Sequence, residues 1–191
     1  MISIAAAGNT SDARLIKACR AGDQRAWATL VDRYKRLIYS IPFRYHFSPE
    51  DCADVFQAVC LELFSELDEI RSPDALRSWL MTVTSRKCQE WIQRYSLPPQ
   101  SESAEAVEQV TEPGRNIAEI LHEAARDQDI REAIDQLQPR CQELIRLLFF
   151  SQPPQPYDAI AQRLGLATGS IGFIRGRCLQ RLKNLLEERG L

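Results

Sequence analysis

The chain has 191 residues, 24 Lys and Arg against 26 Asp and Glu, and a formal net charge of −2. With 45% hydrophobic and 26% charged residues it is too apolar for a disordered chain, and its length suits one ordinary domain or two small ones. Eight glycines are few for an all-β fold, neither G-x-G-x-x-G nor G-x-x-x-x-G-K-[ST] occurs, and the near-neutral balance excludes coating nucleic acid through bulk charge.

Residues 1–10 are expected to fray. From Ser11 a helical rhythm places Leu15, Ile16 and Cys19 on one face, and Gly22 is a natural stop. Asp23 can cap a second helix carrying Trp27, Leu30, Val31, Tyr34, Leu37, Ile38 and Ile41 at spacings of three and four, with Pro42 expected to end it. Ser48, Pro49 and Asp51 form a capping box before a third helix with Cys52, Phe56, Val59, Cys60, Leu63, Phe64 and Leu67 as its apolar set. After the Ser72-Pro73-Asp74 break a fourth helix carries Leu76, Trp79, Leu80, Val83 and Ile92. Residues 96–129 then read as an acidic linker, interrupted by Pro98-Pro99 and poor in large apolar side chains before Ile117. Periodicity returns at Ile130 and runs through Ile134, Leu137, Cys141, Leu144, Ile145, Leu148 and Phe149, and a proline-rich break at 151–156 precedes two last helices. The expectation is an all-α chain of two small helical domains, 11–95 and 130–191, joined by an acidic linker.

The six cysteines, Cys19, Cys52, Cys60, Cys88, Cys141 and Cys178, include no C-x-x-C pair and have only His46 and His122 as metal partners. They are expected to be reduced, mostly buried thiols, with no metal and no cofactor. The start lacks the basic region of a signal peptide, and no stretch approaches the ~18 apolar residues of a membrane span. A cytoplasmic protein without membrane insertion is expected.

Residues 157–182 carry the sharpest pattern. Ile160, Ala161 and Leu164 stripe a short helix, Gly165 permits a tight turn, Leu166 plugs the corner, and Thr168 can cap a second helix with Ile171, Ile174 and Cys178 inward. This is helix-turn-helix spacing. Gly172, Phe173, Gly176, Arg177 and Gln180 are left outside, flanked by Arg175, Arg181 and Lys183, and no acid occurs between Thr168 and Leu186. The pattern suits either a reading head in a DNA major groove or a solvated basic face. In the first half, Asp51, Asp54 and Gln57 share a face of the third helix, either a docking surface for a protein or solvated polar residues. On the fourth helix Trp79, Arg86, Lys87, Gln89, Trp91, Gln93 and Arg94 interleave rings with bases and amides, as single-stranded DNA binding would use, although Trp79 also falls on the core stripe. No nucleophile, base and orienting group come together in sequence, so an enzyme is not expected.

The order DARLIKACRAGDQRAWATLVDRY, EDCADVFQAVCLELF, LRSWLMTVTSRK, a variable linker, AIDQLQPRCQELIRLLF, YDAIAQRLGL and TGSIGFIRGRCLQRLKNLL resembles an extracytoplasmic-function (ECF) sigma factor of bacterial RNA polymerase over about residues 12–188. The resemblance implies a sigma region 2-like domain that binds core polymerase and opens the −10 element, and a sigma region 4-like helix-turn-helix domain that reads the −35 element. It matches Asp51, Asp54 and Gln57 to the helix that docks on the β′ clamp, and the loop near Glu69–Ala75 to the segment that captures a flipped −10 base. Trp79, Arg86, Lys87, Gln89, Glu90, Gln93 and Arg94 fall on the −10 DNA-binding helix. Thr168, Ser170, Gly172, Phe173, Gly176, Arg177, Gln180 and Arg181 fall on the −35 reading element, which in the family sits under the β flap. The implied partners are core RNA polymerase, promoter DNA and an anti-sigma factor. Ala53 and Ala58 stand where the family commonly has acids, Arg86 replaces a usual Asn, Ala159 a usual Glu, and Gly172 and Gly176 stand where larger polar residues often read DNA. The competing class is a helix-turn-helix regulator that acts without polymerase.

Overall fold

The computed structural model describes residues 11–70, 72–96 and 116–191, which contain eight α-helices and no strand. Residues 1–10 and most of the stretch read as a linker lie outside the described residues. The chain divides into two compact units, Met1–Ala125 and Arg126–Leu191.

The first unit contains α1 (Asp12–Arg20), α2 (Gln24–Arg44), α3 (Pro49–Glu66), a 3-10 turn at Leu67–Glu69, and α4 (Ala75–Ser96). Local chemistry sets the helix ends. The Gly22 N–H bonds the Cys19 carbonyl at 2.9 Å and the Asp23 N–H bonds the Ala18 carbonyl at 3.0 Å, with Gly22 at φ 83°, a conformation that favours glycine. Asp23 then accepts from the Arg25 and Ala26 N–H groups to start α2, and Ser48 accepts from the Asp51 N–H to start α3 behind Pro49. The core is formed by Leu30, Leu37, Ile38 and Ile41 of α2, Val55, Val59 and Leu63 of α3, and Leu76, Leu80 and Val83 of α4, with Leu15 and Ile16 of α1 joining them. Each fully buried Leu or Ile contributes roughly 1.5–3 kcal/mol of apolar burial.

Three sequence expectations are corrected in the helices and their ends. Pro42 does not end α2. The ring removes one N–H, but residues 43 and 44 still carry theirs, so the helix runs to Arg44 and stops where His46 takes a positive φ of 59°. The acidic stretch is not linker throughout, because α5 (Ile117–Gln136) begins inside it. Ile120 and Ala124 of α5 join the first unit's core, Arg44 bonds Glu123 at 3.1 Å, and Arg77 donates to the Ala125 carbonyl. Thr168 does not cap the last helix. A 3-10 turn at Thr168–Ser170 intervenes, Ser170 occupies the N-cap without a side-chain cap, and its hydroxyl donates to the Ala167 carbonyl.

The second unit is built from the later part of α5, α6 (Pro139–Phe149), α7 (Tyr157–Leu164) and α8 (Ile171–Glu187) around Ile134, Leu137, Leu144, Ile145, Leu147, Ile160, Ala161 and Ile171. Gly165 at φ 62° closes α7, and the Leu166 N–H returns to the Ala161 carbonyl at 2.8 Å, which produces the tight turn of a helix-turn-helix. The expectation of six reduced thiols is overturned in this unit: Cys141 of α6 and Cys178 of α8 form a disulfide. Both were legible as core positions, but only the fold shows that they face each other. Cys19, Cys52, Cys60 and Cys88 are free, and burial raises each of their pKa values, that of Cys88 to about 12.

Candidate functional site

Helix α3 presents one exposed face at Asp54, Gln57, Leu61 and Phe64, positions three or four apart. Leu61 is 72% exposed and Phe64 73%, although Phe64 packs edge-on to Trp27 with ring centroids 5.6 Å apart. The face therefore joins a carboxylate and an amide to two large apolar side chains, the composition of a protein-docking surface. Asp51 is not equivalent to the other two polar residues. It is half-buried, and its carboxylate accepts from the Ser48 hydroxyl at 2.7 Å, so its acceptors serve the helix cap. Sequence reasoning missed Leu61 and counted Phe64 as core; their spacing from Asp54 was the available signal.

Helix α4 carries Arg86, Gln89, Glu90, Gln93 and Arg94 exposed, Lys87 half-buried, and Trp79 partly buried against the core. Trp79 thus packs beside Leu76, Leu80 and Val83 while lying seven and eleven positions before Arg86 and Glu90, on the same stripe of the helix, at the border between the core and the exposed polar set. Glu62 of α3 organises the basic end of this set. Its side chain is 14% exposed, its Oε1 accepts from Arg86, its Oε2 lies 3.1 Å from Lys87 Nζ, and Glu90 flanks both cations at 3.7 and 3.4 Å. Burial pushes the Glu62 carboxyl up, but the hydrogen bonds and charges of Lys87 and Arg86 outweigh it and hold the pKa below its ordinary value. The same contact raises the pKa of Lys87. Nothing in the sequence links Glu62 to residues more than twenty positions later, so this pairing was not legible.

In the second unit, Gly172, Phe173, Gly176, Arg177, Gln180 and Arg181 are all exposed on α8, with Thr168 exposed and Ser170 half-buried at its start. Phe173 is 71% exposed and the Arg177 guanidinium lies over its ring at 5.8 Å. A Cβ built at Gly172 or Gly176 meets nothing within 4 Å. Gln180 donates to Asn184 Oδ1 and Arg181 to Gln138 Oε1. Arg175 donates to the Tyr157 hydroxyl at 2.7 Å, tying α8 to the start of α7. Among the described residues no cluster of three or more His, Cys, Asp or Glu could hold a metal, and no helix is long and apolar enough to cross a membrane.

Residues 30–97 match the model of sigma-70 region 2. This stretch of the chain is a sigma-70 region 2. The region 2 match covers most of α2, all of α3 and α4, and hence both faces of the first unit described above. The chain is 29% identical over 98 residues to the ECF RNA polymerase sigma-E factor of Escherichia coli strain K12, covering 51% of each chain. It thus spans about half the length of that relative. RNA polymerase sigma factor SigV of Bacillus subtilis strain 168 is 22% identical over 163 residues, or 85% of this chain and 92% of SigV. A solved structure of CnrH in complex with the cytosolic domain of CnrY aligns with 22% identity and a TM-score of 0.40, covering 94% of this chain and 99% of that one. The region 2 match thus falls in the first unit, and the second unit carries a helix-turn-helix.

Proposed function

We propose that the chain is an alternative sigma factor, which binds core RNA polymerase and directs it to promoters without chemistry of its own, acting in the cytoplasm. The observation that carries this reading is the coincidence of the region 2 match with the unit that presents two distinct faces: α3 with Asp54, Gln57, Leu61 and Phe64, and α4 with Arg86, Gln89, Gln93 and Arg94. A single-purpose DNA-binding domain has no use for the first. In this reading the α3 face docks on the β′ clamp, and the α4 set with the loop before it holds the opened −10 strand by charge and hydrogen bonding. The α8 face reads the −35 duplex, with the second unit under the β flap. An anti-sigma factor is the class of partner that would silence the protein by covering the exposed Leu61 and Phe64.

The test is reconstitution. The full chain mixed with bacterial core polymerase should co-elute with it and support initiation from a subset of genomic fragments that core alone ignores. A chain that fails to bind core and instead forms a tight dimer on palindromic duplex sites is a conventional regulator, and the proposal fails.

A further inference from the structure

Helix α3 does not end in a glycine cap. It passes into the 3-10 turn Leu67–Glu69, and Ile70 leaves that turn extended, at φ −68° and ψ 99°. Such an end leaves carbonyls without helical partners, and neither the last turn of α3 nor the 3-10 turn contains a basic residue to meet them. The donor comes from another helix. Arg20, the last residue of α1, points one guanidinium nitrogen at three carbonyls, those of Leu67 at 2.9 Å, Asp68 at 3.3 Å and Ile70 at 2.8 Å. Its Nε lies 3.5 Å from Asp68 Oδ1. Leu67 and Ile70 have buried side chains, so the turn is anchored below by the core and alongside by Arg20. Immediately beyond it lies the approach to α4, within the loop that the proposed function assigns to capture of a −10 base.

We infer that Arg20 is a positioning residue for −10 recognition, which fixes the Leu67–Ile70 start of the loop between α3 and α4 so that the loop meets an unstacked base in one geometry. The inference rests on the proposed function. A loop that captures a base discriminates between bases only while its polar groups are held in place. A loosened loop can adapt to any base, so affinities for right and wrong bases converge. The planar guanidinium fork holds one terminal nitrogen on the carbonyls while its Nε faces the Asp68 carboxylate, whereas a Lys ammonium is a single point charge on a flexible stem.

The test uses holoenzyme reconstituted from the full chain and bacterial core polymerase, incubated with single-stranded DNA randomised over a −10-length window. Retained strands are sequenced for base preference at each position. Arg20→Met keeps the stem and removes every donor, and Arg20→Lys keeps the charge without the fork. The expected result is core affinity within about two-fold of wild type for both variants. Base preference at the captured position should fall at least five-fold in Arg20→Met and partially in Arg20→Lys, while total strand retention changes much less. Wild-type preference in both variants overturns the inference, as does a parallel loss of core affinity and of preference at every position, which marks general damage to the domain. If Arg20→Met does not fold, the Lys variant decides by the same criterion. A wild-type holoenzyme with no base preference defeats the proposed −10 reading itself, and the inference with it, a result distinct from failure of the variants alone.

Discussion

Asp54 and Glu62 occupy the same helix but make different use of their charge. Asp54 is exposed beside Gln57, Leu61 and Phe64, whereas Glu62 is enclosed by Arg86 and Lys87. Replacing Asp54 with Lys should weaken core polymerase binding several-fold or more, because the docking surface would gain a charge of the wrong sign. Folding stability should move by no more than about 0.5 kcal/mol, as for most surface changes. Unaltered core affinity in a competition assay at moderate salt would remove Asp54 from the interface. Glu62→Gln should lower stability by about 1 kcal/mol at neutral pH, a modest value because Arg86 is half exposed to solvent. The sign of its pH dependence follows from the depressed folded-state pKa of Glu62. The carboxylate stabilises the fold fully above its unfolded pKa, and this contribution is lost as pH falls through the lower folded value. Wild type and Glu62→Gln should therefore converge in urea midpoint as the pH is lowered into the acid range. A constant gap across that range would show that the ion pairs contribute nothing. Spacing alone revealed Asp54 and Gln57. Leu61 and Phe64 were obscured because α3 is apolar on more than one stripe, and Glu62 and Arg20 because their partners are distant in sequence.

At the scale of elements, α8 combines two helix-weakening residues with an exposed aromatic-cation pair. Gly172 and Gly176 each lower helix stability by roughly 0.8–1 kcal/mol relative to Ala, and open space surrounds both sites. Gly176→Ala should therefore stabilise the second unit by about that amount. If the bare backbone is there to let α8 approach the groove floor, the same substitution should reduce −35-dependent transcription even as stability rises. Should promoter use survive intact, Arg177, Gln180 and Arg181 carry the reading and the glycines serve only to leave space.

The disulfide between α6 and α8 closes a span of 37 residues, and cross-links of this kind typically contribute about 2–4 kcal/mol. All three tryptophans, Trp27, Trp79 and Trp91, belong to the first unit. Reduction should accordingly lower a helical unfolding transition followed by circular dichroism while leaving the tryptophan fluorescence transition in place. A shift of both together would argue that the units unfold as one. The four helices of residues 11–95 and the turn at Gly165 were legible, since periodicity and a glycine suffice for them. The continuation past Pro42 was not, because it depends on which N–H groups remain, and α5 was hidden by its acids because Ile120 and Ala124 are its small apolar anchor in the first core.

At the scale of the whole molecule, the charge is divided unevenly. Residues 126–191 hold ten Lys and Arg against eight Asp and Glu, so the rest of the chain carries the entire negative excess. The bases of α8 cluster on its exposed surface, but a phosphate backbone approaching them also meets the field of the acidic remainder, which opposes binding at any distance within the Debye length. The free full chain should therefore bind promoter duplex weakly, and the fragment Arg126–Leu191 should bind the same duplex several-fold more tightly at low salt. Because the difference is electrostatic and long-ranged, it should shrink steadily as salt is raised, leaving the short-range contacts of Phe173, Arg177 and Gln180 common to both. Gel-shift titrations of the two proteins across a salt series provide the measurement. A constant ratio at all salt concentrations would mean that the first unit acts by something other than its charge. Tight, sequence-specific binding by the full chain without polymerase would instead identify a regulator that needs no core enzyme, since a promoter-specificity subunit gains its advantage only where polymerase contacts and DNA contacts are made together.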